Sequence, residues 1–134
     1  MTPVSAPGFV SAWEGAHKAA VREPAQVKAV LLLETVGPRI TAAALGLADA
    51  RQVKRWAADG TVEPREHAVA VRLDALFWIV RAISAVYTPA VAARFLRSAN
   101  PQLDDEAPLV ALREADDERS VNRVLAATRA FLEG

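Results

Sequence analysis

The chain has 134 residues, 52% of them hydrophobic, which is enough for one compact domain or two small units sharing a core. It contains no cysteine, so disulfides, thiolate metal sites and cysteine nucleophiles are excluded and a reducing cytoplasm is the simplest setting. The formal net charge is zero, yet residues 1–97 hold 12 Lys/Arg against 8 Asp/Glu while residues 98–134 hold 4 against 8, a polarity that suits a basic half facing a polyanion and an acidic half facing something else.

Met1-Thr-Pro-Val-Ser-Ala-Pro-Gly-Phe-Val lacks a basic start followed by an apolar run, so it reads as a short frayed tail and not as a secretory signal. Ser11 to Arg22 predicts a weak first helix, closing an N-terminal extension over residues 1–23. A second helix is expected from Pro24, carrying Val27, Val30, Leu31 and Leu32 until Gly37-Pro38 stops it, followed by a short one over Thr41 to Leu47. Asp49 fits the N-cap of the next helix, with Gln52 in capping-box position, and Gly60 ends it. Pro64 fits a first helical position, and Leu73, Leu76, Phe77, Val80 and Ile83 form a stripe along a long helix running to about Ala85.

That apolar stretch, Ala68 to Val86, is broken by Arg72, Asp74 and Arg81, each costing about 2.5–3.5 kcal/mol at a bilayer centre, so no membrane span is expected. Thr88-Pro89 reads as N-cap and first position of a helix whose Val91, Ala92, Phe95 and Leu96 share a face and which fades at Ser98. After the loop Asn100 to Pro108 come a short helix around Leu109 and Leu112 and a last one bearing Val121, Val124, Leu125, Thr128, Phe131 and Leu132, its start charged by Asp116 and Asp117. The pattern is all-α throughout, with no internal repeat. Phe77 and Trp78 point to different sides of the long helix, which is therefore either the doubly covered centre of the fold or in part a homodimer contact.

Residues 39–59 have the layout of two short helices joined by a turn, within a unit spanning residues 24–86. In the second of these helices Val53, Trp56 and Ala57 fall on one face, leaving Arg51 and Arg55 opposite with Gln52 and Lys54 on the flanks. Residues near the start of such a helix reach base edges, where Arg pairs with guanine and Gln with adenine, and Arg39 and Arg65 flank the unit as candidate phosphate contacts. A solvated basic face over a buried tryptophan fits the same pattern.

The string Ala93-Arg-Phe-Leu-Arg-Ser-Ala-Asn-Pro-Gln-Leu-Asp-Asp-Glu-Ala-Pro-Leu-Val-Ala-Leu-Arg113 resembles the toxin-binding domain of the Xre/MbcA/ParS antitoxin family, whose hallmarks fall on Phe95-Leu96, Asn100-Pro101, Leu103, Pro108-Leu109 with Leu112, and Val121, Val124 and Leu125. With Arg55-Trp56, Gly60 and Pro64 upstream, the resemblance covers about residues 25–132. Members often carry glycines where this chain has Asp104-Asp105, and a glycine after the short helix, where it has Glu114-Ala115. The resemblance implies a helix-turn-helix unit joined by a long central helix to a C-terminal toxin-binding unit over residues 87–134. It also implies a type II antitoxin that covers the active site of a RES-domain, NAD-consuming toxin and represses its own operon by binding operator DNA. Carried over, Asn100, Leu103, Pro108, Arg129, Phe131, Leu132 and Glu133 are candidate toxin contacts, although packing within the C-terminal unit is the simpler role for Leu103 and Pro108 taken singly.

Neither His17 nor His67 has metal-ligand spacing, Asp104-Asp105-Glu106 lacks the spaced ligands of a calcium loop, and no nucleophile elbow, phosphate loop or dinucleotide fingerprint occurs. The chain therefore reads as a cytoplasmic non-enzyme without metal or cofactor, and a homodimer would suit two DNA half-sites. The alternatives are a stand-alone helix-turn-helix regulator, chromosomal or phage, whose C-terminal unit dimerises it, and an interaction module with a vestigial helix-turn-helix.

Overall fold

A computed structural model of the chain describes residues 8–134. The tail expected over residues 1–7 lies outside them. Among the described residues the structure is 76% helical with no strand, in the order α1 (Phe9–Arg22), α2 (Ala25–Thr35), α3 (Pro38–Leu45), α4 (Arg51–Ala58), α5 (His67–Val86), α6 (Pro89–Arg97), a 3₁₀ turn (Pro101–Leu103), α7 (Pro108–Glu114) and α8 (Glu118–Glu133).

The long helix α5 is the centre, packing on α1, α2, α3, α6, α7 and α8. Its buried residues, Val69 through Ile83, occupy more than one face because neighbours surround it. The face carrying Trp78 is covered by α1. The Trp78 ring packs against both Trp13 and His17, with centroids 4.7 and 4.2 Å away, and its indole N–H donates to the Trp13 carbonyl at 3.2 Å. Phe77 packs on Ala19 and Ala20 of the same helix. The segment read as a weak helix is thus a 14-residue core helix, because its alanines let it approach α5 closely.

Two local expectations change. The buried side of α2 is Ala25, Lys28, Ala29 and Leu32, so Val27 and Val30 face outward. The small residues admit close contact with α4 and α5, while Lys28 runs through the interior to an ion pair with Asp74 at 2.5 Å. Pro64 does not open α5, which starts at His67 with Glu66 as its cap. The preceding loop is drawn instead to α2, whose first amide, at Ala25, donates to the Glu63 carboxylate at 3.4 Å.

The N-caps of α6 and α8 follow their local chemistry. Thr88 Oγ1 accepts from the Val91 amide at 3.3 Å, and Asp117 Oδ1 accepts from the Ser120 amide and hydroxyl at 2.8 and 2.7 Å. Those donors, the hydroxyl first, hold the Asp117 carboxyl below its ordinary value. Arg72 ties the parts together. Its Nε donates to the Ala115 carbonyl at 2.8 Å and its Nη1 to the Leu45 carbonyl at 3.1 Å, placing one guanidinium at the carbonyl ends of both α3 and α7.

Candidate nucleic-acid interface and partner groove

The basic helix α4 is held by two anchors, Val53 and Trp56, which are 0% and 2% exposed. Truncating a buried tryptophan to alanine typically costs about 3–5 kcal/mol, so Trp56 governs the seating of α4. The helix lies mainly against α2, where Gln26 Nε2 donates to the Ala57 carbonyl at 3.2 Å. Before it, α3 ends at Gly46 with φ 77°, the amides of Gly46 and Leu47 returning to the carbonyls of Ala43 and Ala42. Residues 46–50 then connect α3 to α4.

The expected capping box is replaced by a tighter turn. Asp49 Oδ1 accepts from the Arg51 amide at 2.9 Å, two residues on, and Asp49 Oδ2 accepts from Arg51 Nε at 3.0 Å. These contacts, the backbone one first, hold the Asp49 carboxyl below its ordinary value. The helix begins at Arg51 itself, so Gln52 is not at the third position and makes no return bond to Asp49. Arg51 is exposed but already has a carboxylate partner.

Gln52, Lys54 and Arg55 are exposed on α4. Gln52, Arg55 and Arg65 line one groove of about 350 Å³ whose wall also holds Glu63 and Glu66. Arg39 is exposed in the first turn of α3 and makes no hydrogen bond or ion pair with the α4 group. The structure therefore brings three of the six basic-face candidates into one groove, sets Arg51 and Lys54 beside them on α4, and leaves Arg39 apart. The two carboxylates in that groove were not anticipated from the sequence. Their signal is the run Glu63-Pro-Arg-Glu66, which alternates charge within one short loop.

In the C-terminal half, Asn100 closes the loop. Its side chain accepts from the Gln102 amide at 2.9 Å, its carbonyl accepts from the amides of Leu103 and Asp105, and its own amide donates to the Glu106 carbonyl. Asp104 and Asp105 then adopt φ 56° and 66°, the left-handed region. Leu103, Pro108 and Leu132 are buried, so in the free chain these three candidate contacts pack the C-terminal unit and offer little surface to a partner. Arg129 and Glu133 are exposed and paired one helical turn apart at 3.9 Å.

Phe131 is 37% exposed and leans on Phe95 and Tyr87, with centroids 4.9 and 5.8 Å away. Together with Val91, Arg94, Phe95, Asn100 and Pro101 it lines a groove of about 330 Å³. Its lining is mostly apolar with one guanidinium and one side-chain amide, suited to an apolar side chain next to an acceptor. Tyr87 and Arg94 were missed as site residues. Tyr87 lies in the link between α5 and α6, and only the folded placement of the end of α8 brings Phe131 to it. No family model, no curated protein and no solved structure matches this chain.

Proposed function

We propose that the chain is a type II antitoxin that docks a RES-domain toxin through the groove between α6 and the end of α8 and binds operator DNA through α4. The observation that carries the reading is the loop after Leu103. At the two positions where the resembled family often has glycine, Asp104 and Asp105 take the left-handed conformation that glycine adopts most easily. Ala115, at the third such position, is extended with φ −77° and requires no glycine. Exposed Phe131 above Phe95 supplies an aromatic anchor of the kind enriched in interface centres. The outward set Gln52, Lys54 and Arg55 over buried Val53 and Trp56 fits groove contact by α4.

The test is a search of the neighbouring genes for a RES-type toxin and co-expression of the chain with it. Rescue of growth and co-purification of the pair are expected, together with loss of both in Phe131→Glu. Absence of rescue by the wild-type chain refutes the toxin half. A stand-alone regulator is favoured by one observation, the packing of α7 on α3, which joins the C-terminal residues to the basic unit through shared core and Arg72. It predicts salt-sensitive operator binding with no toxin partner.

A further inference from the structure

We propose that the outward face of α2 is a self-association surface, on which a second copy of this chain docks antiparallel about a two-fold axis between Val30 and Leu31. The proposal is independent of the antitoxin reading. Val27, Val30, Leu31 and Glu34 recur at i, i+3, i+4 and i+7 and share one stripe. The structure turns that stripe away from the core, with Val27 and Val30 39% and 37% exposed. Leu31 packs its inner side towards Ala19, Ala20 and Phe77. An open groove of about 430 Å³ runs along the stripe, and Glu34 is the one charged residue lining it.

The placement of that charge selects a second copy. Glu34 lies at the end of α2, beside the negative pole of its own helix, and makes no ion pair among the described residues. At the other end, α2 starts from Pro24 without a side-chain cap. The amides of Gln26 and Val27 have no acceptor within the helix, and only that of Ala25 meets the Glu63 carboxylate. An antiparallel copy sets each Glu34 against the other's free amides, opposes the two helix dipoles, and buries Val27, Val30 and Leu31 against the same three residues of the partner subunit. A parallel copy brings the two Glu34 carboxylates together instead, which is repulsive. The stripe is about 10 Å long at 1.5 Å per residue. It cannot by itself supply the roughly 1,200 Å² of a stable interface, so the association is a reversible, concentration-dependent one.

Sedimentation velocity of the full chain over a concentration series tests this. A monomer–dimer equilibrium is expected. Val30→Lys should weaken it at least about tenfold by setting a long charged side chain in the apolar seam and drawing Glu34, one turn on, away from the partner subunit's amides, while Val21→Lys, at a 75% exposed site on α1, should leave it unchanged. Because the chain has no cysteine, V27C and E34C mixed together should cross-link under mild oxidation, and V27C alone should not. A chain that stays monomeric at every concentration, a dimer indifferent to Val30→Lys, or V27C cross-linking to itself in preference to the mixed pair overturns the proposal.

Discussion

Arg72 and Gly46 form a coupled pair whose energetics can be worked out from the geometry. Replacing Arg72 by Met removes two charge-assisted hydrogen bonds, at 2.8 Å to the Ala115 carbonyl and 3.1 Å to the Leu45 carbonyl. Each is worth about 1.5–3 kcal/mol, and the carbonyls are only part-buried, so water recovers some of the loss. Arg72→Met should therefore destabilise the fold by about 2–4 kcal/mol. Gly46→Ala acts twice. Its φ of 77° costs alanine about 1–2 kcal/mol, less the roughly 0.4–1 kcal/mol by which alanine stiffens the unfolded chain. The added methyl also falls 2.8 Å from Arg72 Nη1, displacing a guanidinium pinned at both of its hydrogen bonds.

In the Arg72→Met background only the backbone part should survive, so the two losses should fall short of additivity by about 1–2 kcal/mol. Urea denaturation followed by tryptophan fluorescence measures the four corners of this cycle, with Trp13, Trp56 and Trp78 reporting on the core. Losses that add to within about 0.5 kcal/mol would refute the claim that the two residues share one site. So would an Arg72→Met loss below about 1 kcal/mol, since the guanidinium would then not be holding α3 to α7.

Lys54→Ala with Arg55→Ala should lower the slope of log binding constant against log salt for operator DNA by about 1.8, near 0.9 for each phosphate no longer neutralised. Filter binding across a salt series measures it, and an unchanged slope removes α4 from the interface. Leu132→Ala should cost about 2–5 kcal/mol in thermal or urea unfolding because the side chain is 0% exposed. Phe131→Ala should cost clearly less, and equal losses would refute the division between core and groove. Asp49, Asp59 and Asp117 titrate below the ordinary carboxylate value of 3.8 in the folded chain because each accepts hydrogen bonds, from Arg51, Thr61 and Ser120. Their contribution is complete above that value and is lost as pH falls through the lower folded ones. Asp117→Asn keeps an acceptor for the Ser120 amide but removes the titration. Its unfolding midpoint should fall less steeply below about pH 4 than that of the wild type, and an unaltered acid limb would refute the role given to the carboxylate.

Much of this protein was legible in residue order alone because the signals are local. Thr88-Pro89 opens α6 through a hydroxyl three residues from the amide it accepts, Asp117 does the same for α8, and Val53 with Trp56 divides α4 into a buried and an exposed side. The all-α class follows from such spacing, repeated along the chain. Asp49 shows the limit of local signals, since its residue type was right for a cap, but the competing Arg51 amide and guanidinium shifted the helix start by one position.

Tertiary structure decided whatever depended on a distant partner. The apolar residues of α2 offer two possible faces, and the close fit of Ala25 and Ala29 together with the ion pair from Lys28 to Asp74 turned Val27 and Val30 outward. Leu132 and Phe131 are adjacent and both apolar, yet one is sealed in the core and the other lies half-open over Phe95, because successive positions of a helix point about 100° apart and only one of these two directions meets the core. Arg72, in sequence only a charge interrupting an apolar helix, became the tie between carbonyls 27 and 43 residues away. Helix formation is governed by bonds within a turn or two, and residue order encodes those directly. Which face is buried is governed by packing density and polar satisfaction among segments that meet only when the chain has folded.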